Sequence, residues 1–284
     1  MGSRMAASLR RAGLELTVWN RSAGVAARFA ADHGARAASS PAEVASSSDI
    51  VVTVVADAEA VRAVLLGPEG VASGAQPGTL CVDCSTIGAI AARELAGDLR
   101  GRGLRLVDAP VSGSAPRAAD GTLTIMAGGS PEDVEDAQPV LEAMGELIVH
   151  VGEAGQGQAV KVVNNALAAA NAVAVGEALL LAGAAGVDLD ALQRVVGAGS
   201  GASAMLELKA GVMRRHDLDP LFKLDHMLKD VRLCLADAEA VGVGTPFAER
   251  AQEVLAGASQ RGLGDRDFAA LICELEDQAG YRLP

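Results

Sequence analysis

The sequence predicts a parallel α/β domain followed by an all-α domain. Strand-like and helix-like segments alternate as far as residue 151, the order that builds βαβ units. Ser48–Val55, SDIVVTVV, is a near-continuous β-branched run, as expected of a strand buried on both faces of a parallel sheet. Past Gly152 no β-rich segment remains.

The elements follow in order. The chain opens MGSRMAASLRRAG, an Ala-rich helical stretch stopped by Gly13, and Leu16–Asn20 then alternates apolar and polar residues as a strand. Helix then strand is the second half of a βαβ unit, so the pattern lacks its first strand. A start site set too late, or a real truncation, would each produce this opening. Ala23–His33 reads as a helix, Ala58–Leu66 as another ended by Gly67-Pro68, and Ala89–Arg100 as a third. Thr79–Asp83, Leu104–Val107, Leu123–Ala127 and Leu147–Val151 read as strands, with Pro131–Met144 helical before the last. Gly155–Gln158 leads into a long helix to about Ala185, and a Gly-punctuated helical pattern continues through Met205, Val231 and Phe268. The expected domains are 1–153 and 154–284.

Half the residues are hydrophobic but only 2% are aromatic, so the core must be built from Ala, Val, Leu and Gly at close contact. The net charge of −12, from 36 acidic and 24 basic residues, weighs against a nucleic-acid partner, which needs a basic face. The largest basic group, Met213–His216, reads as a solvated helix end. Asn171 and Glu177 interrupt the most apolar run, Ala166–Val187, which argues against a membrane span. The first residues also lack the pattern of a signal peptide. A cytoplasmic protein with no nucleic-acid or membrane partner is the expectation. Cys81 and Cys84 have CxxC spacing, but Cys81 falls in a buried strand and no second CxxC completes a metal site; both read as buried thiols.

Ligands of a doubly wound sheet sit at the carboxyl ends of the strands. The first visible strand ends at Asn20-Arg21-Ser22. An acidic residue there would suit the ribose 2′-hydroxyl of NAD, whereas Arg21 and Ser22 suit the 2′-phosphate of NADP. NADP is therefore favoured over NAD, unless Arg21 only stacks on adenine or faces solvent. Gly2, at the start of the first helix, is the one candidate glycine for a pyrophosphate turn.

Two further stretches bear chemistry. Asp108–Ser114, DAPVSGS, runs from a strand into a Pro- and Gly-bearing turn. Its backbone N–H groups and the Ser112 hydroxyl can hold a carboxylate, although the stretch also reads as an ordinary loop. In Gly157–Asn165, GQAVKVVNN, Lys161 and Asn165 are four residues apart on one helical face. Spacing alone leaves two readings. Either Lys161 passes a proton to or from a substrate oxygen that Asn165 positions, or its stem lies along a helix end beside a polar neighbour.

Taken together, DAPVSGS…GTLTIMAGG, GQGQAVKVVNN, Asn20-Arg21, VDCST at Val82–Thr86, LKDVRL at Leu228–Leu233 and GDRDFAAL resemble the β-hydroxyacid dehydrogenases. Within them the chain is similar to the group of 3-hydroxyisobutyrate dehydrogenases and glyoxylate, succinic or tartronate semialdehyde reductases, and the resemblance spans essentially the whole chain. It implies a Rossmann-type dinucleotide-binding domain, then an all-α substrate and dimerisation domain that begins with a long interdomain helix. It also implies hydride transfer between NAD(P) and a small 3-hydroxy acid or its semialdehyde, with no metal.

By the same resemblance Lys161 is the catalytic lysine and Asn165 its partner. Ser112, Gly113, Ser114 and Asn164 would bind the carboxylate-bearing substrate. Val54, Val55 and Thr86 would line the nicotinamide, and Lys229 would face the same site. The family usually has glycine where Ser114 stands, a Leu-Pro-like pair at Val55-Ala56, and a proline near Gly88; these bear on substrate preference. A homodimer or homotetramer is implied. Imine reductases share the architecture but commonly carry Asp or Tyr at the Lys161 position. The other alternative is a chain with a crippled cofactor site that acts only as a dimerisation or binding module. Without its first strand, this chain is expected to bind dinucleotide poorly.

Overall fold

Strands and helices alternate through the first half of the computed structural model, which describes residues 1–284. The strands are β1 (Thr17–Val18), β2 (Arg36–Ala37), β3 (Ile50–Thr53), β4 (Leu80–Asp83), β5 (Arg105–Asp108), β6 (Val111–Ser112), β7 (Leu123–Gly128) and β8 (Gly145–Gly152). The helices among them are α1 (Gly2–Arg11), α2 (Ala23–His33), α3 (Pro41–Ala45), α4 (Ala58–Leu66), α5 (Val71–Gly74), α6 (Ala89–Arg100), α7 (Ser114–Asp120) and α8 (Pro131–Glu142). Capping sets several boundaries. The Asp57 carboxylate accepts the Ala60 N–H at 2.8 Å to start α4, and the Ser130 hydroxyl accepts the Asp133 N–H at 3.1 Å to start α8. Gly34, at φ 63°, ends α2 in the left-handed conformation that glycine adopts without cost.

These strands form two sheets. β1 pairs only with β2, in parallel. The larger sheet has the order β3-β4-β5-β7-β6, with β8 also on β7. β3, β4 and β5 are parallel and in register, so that Thr53, Asp83 and Asp108 lie in a row across their carboxyl ends. β7 runs antiparallel to β5, and the chain between them forms the short strand β6 and the helix α7. The parallel core that the sequence predicts is present, extended by this mixed edge.

Alternation along the strands divides the core between the two sheet faces. Leu80 and Val82 pack with Met5 and Leu9 of α1 and with Val140 of α8. Cys81, between them, points the other way and packs with Val61 of α4 and with Leu95 and Leu99 of α6.

The remaining helices are α9 (Gln156–Ala184), α10 (Leu189–Ala198), α11 (Ala204–Arg215), α12 (Leu224–Ala240), α13 (Pro246–Ala258) and α14 (Leu271–Ala279). Contacts divide the chain into Met1–Lys161 and Val162–Pro284, so the first turns of α9 belong with the sheet. By length and composition α9 is apolar enough to cross a membrane, yet its Ala169, Ala172, Val173 and Leu179 are buried in the core of the helical unit. Small residues let these helices approach: a Cβ added to Gly176 would lie 2.6 Å from Leu275 Cδ1. The helical unit also buries one ion pair. Lys209 Nζ lies 2.6 Å from Asp267 Oδ1, and the Asp267 carboxylate accepts the N–H groups of Leu221, Phe222 and Ala269.

Candidate active site

The site residues of the first unit stand at the carboxyl ends of β1, β3, β4 and β5, as the rule for open α/β sheets requires. Asn20 Oδ1 accepts the Ser22 N–H at 2.9 Å, an Asx turn that delivers the chain from β1 into α2. Asn20, Arg21 and Ser22 are all exposed. Gly2 sits against the end of β3, where an added Cβ would lie 3.5 Å from Val54 Cβ. Helix α1 therefore brings two of the expected cofactor residues together.

The loop after β4, which carries Thr86, is held on both sides. The Ser85 hydroxyl accepts the Val55 N–H at 2.9 Å, and Asp83 Oδ1 accepts from the Thr53 hydroxyl at 2.7 Å and the Ser85 N–H at 3.2 Å. Gln158, fully buried in the first turn of α9, completes the frame. Its Oε1 accepts the N–H groups of Ile87 and Gly88 at 2.9 and 3.3 Å, and its Nε2 donates to the Ser85 carbonyl at 2.8 Å.

Asp108 fixes the start of the same helix. Its carboxylate, fully buried at the end of β5, accepts the Gly155 N–H at 2.6 Å and the Gln158 N–H at 2.8 Å. Burial pushes this carboxyl up to about 7; the donors from Gly155 and Gln158 pull it down, and the charge of Asp83 pushes it up further. Two glycines allow the approach: a Cβ at Gly157 would lie 2.6 Å from the Asp108 carbonyl, and one at Gly128 would lie 2.7 Å from the Gly157 nitrogen. One turn further on, Lys161 is 8% exposed, and Lys is rarely so buried without a reason.

The loop after β5 contains a strained backbone. Ser112 pairs with Thr124 in the β6–β7 ladder. Gly113 (φ 132°) and Ser114 (φ 58°) then both take positive φ before α7. At Ser114, where a glycine would be unstrained, the serine carries a steric cost.

In the helical unit, Asn165 is 6% exposed, and its Nδ2 donates to Asp230 Oδ2 at 2.6 Å. Its Oδ1 accepts from Asn164 Nδ2 at 3.0 Å, while Lys229 Nζ lies 3.1 Å from Asp230 Oδ1. The structure thus joins Asn164, Asn165 and Lys229 through one buried carboxylate.

Sequence reading gave no role to Asp108, Gln158 or Asp230. The signal for Asp230 was its place beside Lys229, for Gln158 its place in the glycine-rich start of α9, and for Asp108 its place at the end of a buried strand. Cys81 and Cys84 are buried and unbridged, and burial pushes the Cys81 thiol up to about 12.

Comparison with known proteins finds relatives across both units. Residues 1–152 match the NAD-binding domain of 6-phosphogluconate dehydrogenase, and residues 155–275 match the domain described as NAD-binding of NADP-dependent 3-hydroxyisobutyrate dehydrogenase. The chain is 36% identical to 2-(hydroxymethyl)glutarate dehydrogenase of Eubacterium barkeri, over 99% of its own length and 93% of that protein. It is 35% identical to glyoxylate/succinic semialdehyde reductase 2, chloroplastic, of Arabidopsis thaliana, over 96% and 76%. A structure of 3-hydroxyisobutyrate dehydrogenase from Mycobacterium tuberculosis matches with a TM-score of 0.89 at 33% identity, covering 97% of this chain and 95% of that one.

Fold and relatives together define an NAD(P)-dependent oxidoreductase acting on CH–OH groups. The chain belongs to the β-hydroxyacid dehydrogenase family.

Proposed function

We propose that the chain transfers a hydride between NADP, in preference to NAD, and a small 3-hydroxy acid or its semialdehyde, with Lys161 as general acid/base. The burial of Lys161 carries this reading: an ammonium 8% exposed, one turn from the buried Asn165, on a helix anchored by Asp108. The bound dinucleotide supplies the hydride donor or acceptor. Lys161 Nζ gives a proton to the substrate oxygen as a carbonyl is reduced, and takes one as an alcohol is oxidised. Asn165, held by Asp230, orients that oxygen. The Ser112 hydroxyl, the backbone N–H groups of Gly113 and Ser114, and Asn164 take the carboxylate.

The cofactor residues divide by chemistry. Arg21 and Ser22, after the Asn20 turn, offer donors to a 2′-phosphate and no acid for a 2′-hydroxyl. Gly2 and the N-terminus of α1 suit the pyrophosphate, while Val54, Val55, Thr86 and Lys229 hold the nicotinamide end. Exposed apolar side chains on the helical unit, Leu181 at 75%, Val195 at 72% and Phe247 at 80%, support a homodimer or homotetramer. Four unbridged cysteines support the cytoplasm as its compartment.

The test is a panel of small semialdehydes and 3-hydroxy acids assayed with NADPH and NADH at millimolar cofactor, for the parent chain and Lys161→Ala. Turnover is expected to fall by about 10²–10⁴-fold in Lys161→Ala, with cofactor affinity within a few-fold of the parent. Full turnover in Lys161→Ala, or turnover of cyclic imines in place of the acids, overturns the reading.

A further inference from the structure

Within the helical unit, His216, Cys273 and Glu276 bring their ligand atoms within 4.8 Å of one another. Cys273 and Glu276 are three residues apart on α14, hence on one face. His216 comes from the far end of another helix, 60 positions before Glu276. It follows the last residue of α11 at φ 50°, in the left-handed conformation that histidine visits more readily than most residues. The turn is closed by the His216 and Asp217 N–H groups, which donate to the Met213 and Val212 carbonyls at 3.2 and 3.1 Å. The imidazole is only 21% exposed, so the basic run expected to be a solvated helix end finishes on a side chain turned inward. His216 Nε2 lies 3.0 and 3.1 Å from the two Glu276 oxygens. Glu276 Oε1 also accepts the Leu283 N–H at 2.9 Å, and Leu283 is buried in the core of the unit. Burial, and next the charge of Glu276, push the half-buried Cys273 thiol up, with Arg261 and Arg282 pulling it down. A His–Glu ion pair alone accounts for two of these three groups and gives no reason for the thiol beside them.

We propose that His216 Nε2, Cys273 Sγ and the Glu276 carboxylate bind one zinc-class divalent cation, which clamps α11, α14 and the C-terminal segment together. The donors are an imidazole nitrogen, a thiolate and a carboxylate, a mixture that suits zinc, whereas magnesium and calcium take oxygen ligands. Thiolate and carboxylate balance the two positive charges, and the thiol proton leaves to solvent on binding. Tetrahedral zinc, with Zn–S of about 2.3 Å and Zn–N and Zn–O of about 2.0 Å, spaces its ligand atoms about 3.3–3.6 Å apart. The His216–Glu276 pair therefore opens by a few tenths of an ångström, and Cys273 has at most about 1.3 Å to close. Glu276 Oε1 keeps the Leu283 N–H and leaves Oε2 for the cation, the kind of outer contact that orients a ligating carboxylate. Cation binding is thereby coupled to the docking of the last residues of the chain.

The test titrates the chelator-treated 284-residue chain with Zn²⁺ by calorimetry and with Co²⁺ by absorption, alongside Cys273→Ser and His216→Asn. Both variants preserve the backbone: serine is close to cysteine in size, and asparagine also takes the left-handed conformation. Circular dichroism of the metal-free chains checks that they fold. One Zn²⁺ per chain is expected, with a thiolate-to-Co²⁺ charge-transfer band and the intense d–d bands of a tetrahedral site. Zn²⁺ at 100 times its Kd should raise Tm by about 5 °C. Each variant should weaken Zn²⁺ binding by at least about 100-fold, and Cys273→Ser should abolish the charge-transfer band. A band that persists in Cys273→Ser comes from Cys81, Cys84 or Cys234 and overturns the proposal. Zn²⁺ taken up equally by the parent and both variants marks adventitious binding and overturns it too, as does binding that leaves Tm unchanged. None of these readouts needs turnover, so the outcome is independent of the redox reading.

Discussion

Gln158 donates from Nε2 to the Ser85 carbonyl at 2.8 Å and so ties the first turn of α9 to the loop after β4. The same side chain accepts from Ile87 and Gly88, so one amide satisfies three buried backbone groups. Replacing it by Leu, of similar size, leaves those groups without their partner. Each such orphan costs about 1–3 kcal/mol. Gln158→Leu is expected to lose roughly 3 kcal/mol in urea unfolding, with part of the orphan cost relieved by water. A loss below about 0.5 kcal/mol would show that the loop is held by other means.

Asp108 predicts a pH effect with a definite sign. Its carboxyl sits at about 7 in the folded chain against 3.8 for an ordinary aspartate, so the folded state binds this proton more tightly than the unfolded state. The associated stability is fully present below pH 3.8 and is lost as pH rises through 7. Asp108→Asn removes this titration. The stability difference between parent and Asp108→Asn, measured by urea unfolding, should move against the parent from pH 4 to pH 7 and level off above pH 8. A difference that is flat with pH would refute the shift.

In the proposed reaction Asp230 acts as a positioning residue, through its contacts with Asn165 and Lys229. Asp230→Ala is expected to lower kcat by about 10²-fold, the scale of a small misplacement at a reacting centre. Asp230→Asn keeps an oxygen for the Asn165 amide and should recover part of that loss. Equal activity in the two variants would assign Asp230 a structural role only.

Ser114 at φ 58° should order three variants by stability. Glycine relieves the left-handed strain of about 1–2 kcal/mol, offset by its own entropic cost of about 0.5–1 kcal/mol, while a β-branched residue worsens it. Ser114→Gly is expected to match or slightly exceed the parent in Tm, and Ser114→Val to fall below both. Ser114→Val at or above the parent would mean that the loop relaxes out of this conformation.

Most of the fold was readable because its signals are local. Ala23–His33, Ala58–Leu66 and Ala89–Arg100 form the helices read from the sequence, since caps and glycines mark their ends within a few residues. β2 and β6, two residues each, and the short α3, α5 and α7 carry too little periodicity to register. The antiparallel turn of β7 was also invisible, because pairing direction depends on how the chain returns and not on its residues. The site divides along the same line. Lys161 and Asn165 announce themselves as polar residues on an apolar helix. Asp108, Gln158 and Asp230 act on partners 47 to 73 positions away, and no local pattern encodes such pairs.

The separation of the β1–β2 ribbon from the larger sheet bears on how the first unit melts. No backbone ladder couples the two, so the ribbon and α2 are tied to the rest only through side chains and chain connections. Cooperativity is transmitted poorly across such a seam. On warming, the segment of β1, α2 and β2 should loosen as its own foldon before the six-stranded sheet yields, and limited proteolysis should cut first between Gly13 and Ser48. The segment that carries Asn20, Arg21 and Ser22 should thus be softer than the strands that carry Asp83 and Asp108.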